Sequence, residues 1–151
     1  MTRVCLVGSD DVDLRAELLS RETARDALAT YDLREPYRNC LELETISLGA
    51  AVSLLNDLNW YLVRFADDAI VREPSVSDEE WLSRDLAAAI RDGEVRPAET
   101  DALLEVYGVT DERELVEPMY VARTDGEVPA YDLRDVPETL VVRVAESEFG
   151  N

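Results

Sequence analysis

Arg3-Val4-Cys5-Leu6-Val7-Gly8-Ser9-Asp10-Asp11-Val12-Asp13-Leu14-Arg15 is the stretch from which the rest of the chain is read. Its opening is short, continuous and apolar, the pattern of a strand covered on both faces. Gly8 to Asp11 turn the chain, and a helix follows with Asp10 or Asp11 as its N-cap. That helical stretch, residues 12–31, carries a phase slip. Leu14 and Leu18 lie on one face, whereas Ala24, Ala27, Leu28 and Tyr31 lie on another. A straight helix cannot turn both sets to one core, so a break is expected near Ser20.

Residues 31–39 read as a loop around Pro36. Residues 40–48 read as a strand, with Leu41 and Leu43 alternating with Glu42 and Glu44, which predicts one wet face. Residues 49–56 read as a short helix. Residues 60–66 are rich in aromatic and branched side chains and read as a strand, a continuous helix over 49–69 being the competing reading. Ser77-Asp78-Glu79-Glu80 has the spacing of a capping box. The helix behind it is expected to reach Asp92 and stop at Gly93. A further helix is expected over 97–108, between Pro97 and Gly108. Two strands, 118–122 and 140–144, flank a turn at Thr124-Asp125-Gly126 and a loop bounded by Pro129 and Pro137. The fold class is α+β (mixed α/β): a single mixed sheet of about five strands with helices packed on it, in the order β-α-β-α-β-α-α-β-β. No separable linker divides residues 1–151, so one domain is expected. Tyr31-Asp32-Leu33-Arg34 recurs as Tyr131-Asp132-Leu133-Arg134, but the flanking residues differ and a duplication is not implied.

Charge is the dominant compositional feature. Among 151 residues, 34 are acidic and 15 basic, a formal net charge of -19. Every basic residue is arginine, and lysine, histidine and glutamine are absent. The hydrophobic fraction of 46% supplies a core without disulfides or metal. A folded domain this acidic repels itself in dilute buffer. At roughly 1 M salt the Debye length is about 3 Å and that repulsion is screened. The composition therefore predicts a salt-in halophile. No basic stripe with interleaved aromatics marks a nucleic-acid surface. No apolar run approaches the roughly 20 residues that span a bilayer, and no secretory leader is seen. A cytoplasmic protein is expected, with Cys5 and Cys40 as reduced, buried thiols.

Several catalytic vocabularies are missing. Without histidine there is no Ser/His/Asp triad and no histidine to activate a thiol. Gly8 stands outside any GxGxxG or Walker pattern, and two cysteines without histidine do not make a zinc site. Carboxylate-pair chemistry is compatible with the composition, but 34 acidic residues give no way to choose a pair. The one positional candidate is Asp10, Asp11 and Asp13, carboxylates after the first strand that could hold Mg²⁺. Their ordinary role is to cap a helix and favour its positive end. Arg15, Arg21 and Arg25 suggest an anion site, but Glu17 lies four residues before Arg21 in the favourable pairing order. Trp60, Tyr61 and Trp81 are core by spacing, or partner anchors if exposed.

The run from Val4 to Arg15 resembles the start of a phospho-receiver domain. A receiver also needs a later lysine, and this chain has none. The stretches Ser47-Leu48-Gly49-Ala50-Ala51-Val52-Ser53-Leu54-Leu55-Asn56-Asp57-Leu58-Asn59-Trp60-Tyr61-Leu62-Val63-Arg64-Phe65 and Leu115-Val116-Glu117-Pro118-Met119-Tyr120-Val121 resemble a small uncharacterised family of halophilic archaea. That resemblance implies an origin but no activity. Two functional readings follow. The favoured one is a non-enzymatic cytosolic interaction or regulatory module with a protein partner or self-association, binding neither nucleic acid nor membrane. The alternative is a Mg-dependent ligand-binding or catalytic domain using Asp10, Asp11 and Asp13. No catalytic residue is selected, and no cofactor other than Mg²⁺ is expected.

Overall fold

A computed structural model describes residues 1–124 and 136–149. The Thr124-Asp125-Gly126 turn, Pro129 and the second Tyr-Asp-Leu-Arg repeat fall wholly or partly outside the described residues. The elements in chain order are β1 (Thr2–Gly8), α1 (Leu14–Leu19), α2 (Glu22–Leu28), β2 (Cys40–Thr45), α3 (Leu48–Asp57), α4 (Asn59–Phe65), β3 (Ala66–Arg72), β4 (Trp81–Ser83), α5 (Arg84–Arg91), β5 (Leu103–Val109), β6 (Leu115–Ala122) and β7 (Glu138–Arg143). Short 3-10 turns lie at Pro97–Glu99 and Glu146–Glu148. The fold is α+β, as expected, but the described residues form a seven-stranded sheet in the order β2-β1-β3-β4-β7-β5-β6. Only β4 and β7 run parallel; the other neighbours are antiparallel. A receiver is a doubly wound parallel sheet, so the likeness of the opening segment stops at its residues.

β1 is the covered strand its composition predicts: Val4, Cys5 and Leu6 are fully buried and Val7 nearly so. It runs between β2 and β3, so apolar layers meet both its faces. One face of the sheet joins α1–α5 around Val4, Leu6, Leu41, Leu43, Val71 and Leu82. The opposite face gathers Cys5, Val7, Cys40, Ile70, Trp81, Tyr107 and Val142. The helical phase slip is resolved at Ser20, which ends α1, and α2 starts at Glu22. Leu14, Leu18, Ala24 and Leu28 all reach the helix-side core.

Four local expectations are corrected. Residues 60–65 of the expected strand 60–66 belong to helix α4, because Leu58 and Leu62 repeat at helical spacing into the core while Trp60 and Val63 face out. The break from α3 falls at Leu58, and the strand of this region begins only at Ala66. Residues 97–108 are not a helix: after one 3-10 turn they become β5. Both faces of β5 are covered, so its apolar residues imitate a helical stripe. The Ser77 hydroxyl accepts from the Glu79 and Glu80 amides at 3.2 and 3.0 Å, but this turn leads into β4. The helix starts at Arg84, capped by Ser83 Oγ accepting from the Leu86 amide at 3.2 Å. It ends as predicted: Gly93 adopts φ 74°, and the Gly93 and Glu94 amides return to Ile90 and Ala89. Finally, the expected wet face of β2 is partly dry. Glu42 is only 7% exposed and is paired with Arg3 at 3.3 Å.

A partly buried ion cluster fastens the second half of the sheet. Arg123, just past β6, donates to both Glu80 carboxylate oxygens at 2.7 and 2.8 Å. Arg143 on β7 donates to the same carboxylate at 2.8 Å and to Thr100 Oγ1 at 3.2 Å.

Candidate functional site

β4 has only three residues, and its length decides where a cleft opens. β3 reaches β4 through Ile70 and Val71 only, and β7 reaches it through Val142 and Arg143. Past Ser83 the chain leaves the sheet as α5. The first half of β3 therefore has no ladder partner on that side. Three strand spacings would separate β3 and β5 by roughly 14 Å in a flat sheet. The curl of the sheet closes that gap: Tyr107 Oη on β5 donates to Asp68 Oδ2 on β3 at 2.8 Å.

Alternation along the strands places the functional side chains on this concave face. Asp68 shares it with Ile70, and Glu105 shares it with Tyr107. Tyr120 is the register partner of Glu105 on β6. Glu105 is 8% exposed and hydrogen-bonds to Asp68, Tyr107 and Tyr120. Burial, reinforced by the neighbouring Asp68 carboxyl, lifts Glu105 to about 8. Asp68 accepts from Tyr107 and from the Ala69 amide at 2.9 Å. Glu105 thus keeps its proton at neutral pH and hydrogen-bonds to Asp68, as a carboxyl in a dry place beside another carboxyl does. Burial and the acidic neighbours push the Tyr107 phenol upward, and burial with Glu105 raises Tyr120 to about 12. Both phenols therefore remain hydrogen-bond donors across the physiological range.

These groups lie in a cleft of about 1200 Å³. Asp10, Asp67, Glu114 and Glu148 contribute further carboxyls to its lining, and Arg38 is the one cation among its described lining residues. Arg38 is already paired with Glu114 at 3.4 Å. Burial raises the Glu148 carboxyl, which accepts from Ser83 Oγ at 2.7 Å and the Ala145 amide at 2.9 Å.

The three aspartates singled out by sequence occupy the neighbouring loop and line a separate cavity of about 780 Å³ with Arg15 and Arg38. Asp10 touches both cavities. Asp13, two or three positions later than expected, is the N-cap of α1, accepting from the Ala16 amide at 3.1 Å. Among the described residues, no three His, Cys, Asp or Glu side chains converge as metal ligands. Arg21 pairs with Glu17 at 3.1 Å, as its spacing predicts. Trp81 is core, whereas Trp60 is half exposed with Arg64 stacked on it at 3.8 Å. Sequence reasoning missed Asp68, Glu105, Tyr107 and Tyr120. The available signal was an isolated glutamate inside the apolar run 103–109, a polar residue on an otherwise dry strand.

The fold and site define a single-sheet α+β protein with a carboxyl–tyrosine cleft on the sheet face away from the helices. Residues 2–109 match the family of unknown function DUF5804, and the chain belongs to that family. The matched segment ends with β5, so it contains Asp68, Glu105 and Tyr107 but not Tyr120 or Glu148. No curated protein and no solved structure matches the chain. No helix among the described residues is long and apolar enough to cross a membrane.

Proposed function

We propose that this protein is a non-enzymatic ligand-binding module whose cleft takes a small organic cation, a primary amine or guanidinium, in exchange for the proton on Glu105. The observation that carries this reading is the hydrogen-bonded Asp68–Glu105 pair, in a cleft whose charged lining residues are acidic except for Arg38. A cleft of one sign concentrates counter-ions. An ammonium or guanidinium seated between the two carboxyls supplies the positive charge the proton supplies now, so Glu105 ionises as the ligand enters. Tyr107 and Tyr120 offer ring faces for the cation and hydroxyls that hold the carboxylates.

The test is calorimetric titration with putrescine and agmatine as probes at pH 7, in buffers of different ionisation heat. Binding accompanied by release of about one proton per ligand is expected. Asp68→Asn should weaken binding at least about tenfold, and Glu105→Gln should abolish the proton release. Absence of binding by either probe, or binding unchanged in both variants, rejects the reading. The same titration with Mg²⁺ tests the second cation site, Asp10 and Asp11 at the rim. Metal binding lost in an Asp10→Asn/Asp11→Asn variant would place it there.

A second reading rests on α4. Trp60 and Val63 are 50% and 70% exposed, which favours a protein partner or self-association through this helix. Light scattering of wild type and Trp60→Ala at high salt tests the self-associating form, which predicts a larger mass for the wild type alone. Lysine-free acidity further supports a cytoplasmic protein of a halophilic archaeon.

A further inference from the structure

Cys5 and Cys40 have no part in the cation-binding reading, yet the fold sets them side by side at the edge of the cleft. Cys40 is the register partner of Val7, which puts Cys5 two residues along β1 on the same face of the sheet. Both are free and buried in one apolar cluster, and the Cys40 thiol donates to the Arg38 carbonyl at 3.4 Å. Their access differs. Cys40 lines both the large cleft and the neighbouring cavity, whereas Cys5 lines neither. β2 is the outer strand of the sheet, laddered to β1 and bridged on its other edge to Arg34 at Glu42, and Cys40 is its first residue.

We propose that Cys40 and Cys5 form a reversible thiol–disulfide site in the cleft wall, with Cys40 as the attacking thiol and Cys5 as the resolving one, acting on a low-molecular-weight disulfide. The Cys40 thiolate attacks one sulfur of the reagent, whose S–S bond breaks and whose first thiolate leaves. Cys5 then attacks Cys40 Sγ, its proton passing to the second departing thiolate. Two protein thiols are oxidised to one disulfide, and one reagent disulfide is reduced to two thiols. The environments suit these roles. The neighbouring Cys5 thiol and the Gly8 amide stabilise negative charge on Cys40 and lower it against the effect of its burial, while the neighbouring Cys40 sulfur and burial push Cys5 well up. Diagonal residues on antiparallel strands stand somewhat further apart than an unstrained disulfide spans. Closure therefore requires a local backbone shift at Cys40, the first residue of β2, whose amide bonds to the Tyr37 carbonyl at 3.2 Å. The resulting bond is strained and readily reduced, and it shifts Cys40 and Asn39 in the wall of the cleft.

The experiment is incubation of the folded full-length chain with excess oxidised glutathione, acid quenching, and intact mass with a thiol count. Both thiols should disappear together, leaving a monomer lighter by two hydrogens with no retained glutathione. Cys5→Ala should hold one glutathione on Cys40, and Cys40→Ala should stay unmodified until unfolded in urea. A wild type that retains glutathione, forms disulfide-linked dimers, or keeps both thiols while the urea-unfolded chain reacts fully would overturn the proposal. The wild-type arm needs no variant to fold, and no outcome depends on the cation-binding reading.

Discussion

Glu105 and Glu80 are carboxyls of opposite character, and the difference lies in what each one meets. Glu105 meets another carboxyl in a dry place, so it keeps its proton to about pH 8. The native state then binds a proton that the unfolded chain releases near the ordinary carboxyl range. Stability contributed by that proton is complete at acid pH and is lost as pH rises towards 8. We expect thermal melts of the wild type to lose roughly 4–5 kcal/mol across this window, with Glu105→Gln losing much less. Glu80 is also partly buried, which by itself opposes its charge, but the bonds from Arg123 and Arg143 outweigh burial and hold it below the usual range. Its contribution is present at neutral pH and is lost as pH falls. Glu80→Gln leaves two guanidiniums facing a neutral amide and should cost about 3 kcal/mol in urea unfolding at pH 7.

At the scale of elements, Asn39 latches the first strand to the first helix and the second strand. It holds φ 58°, a conformation asparagine tolerates better than most residues. Its carbonyl accepts from the Gly8 amide at 2.9 Å, its Oδ1 accepts from the Leu14 amide at 2.9 Å, and its Nδ2 donates to the Ser9 carbonyl at 2.8 Å. Gly8 has no side chain to obstruct this: an added Cβ would lie 2.6 Å from Asn39 Nδ2 and 2.7 Å from its carbonyl oxygen. Gly8→Ala should therefore cost about 1–3 kcal/mol by overpacking and disturb the shared rim of both cavities. Asp13→Ala should cost about 1 kcal/mol through the lost cap of α1, whereas Asp10→Asn should leave the unfolding midpoint unchanged. The contrast separates the capping aspartate from its neighbours in one denaturation series.

For the whole molecule, charge and curl work on different problems. A net charge of -19 is spread over a surface whose cations are arginines mostly engaged with carboxylates at 2.7–3.9 Å. Potassium chloride screens what those pairs leave uncompensated, so the melting temperature should rise steadily between about 0.1 and 2 M salt. A flat response would remove the case for salt adaptation. The curl brings β3 opposite β5 and creates the cleft independently of salt. The cation affinity of the cleft, by contrast, should fall as the same salt screens its field.

The buried first strand, the break at Ser20, the Gly93 stop, the core role of Trp81 and the mixed α+β class were all legible in the sequence, because each is written in residue type or in a pattern only a few residues long. The sequence also excluded triads, zinc sites and nucleotide loops by lacking the residues they need. Tertiary structure alone decided that residues 60–65 are helix and 103–109 strand, since both segments are apolar enough for either period and only their neighbours choose. It alone selected Asp68 and Glu105 from 34 acidic residues. Their partnership spans 37 positions of chain and exists only because β4 is short and the sheet curls around the gap it leaves.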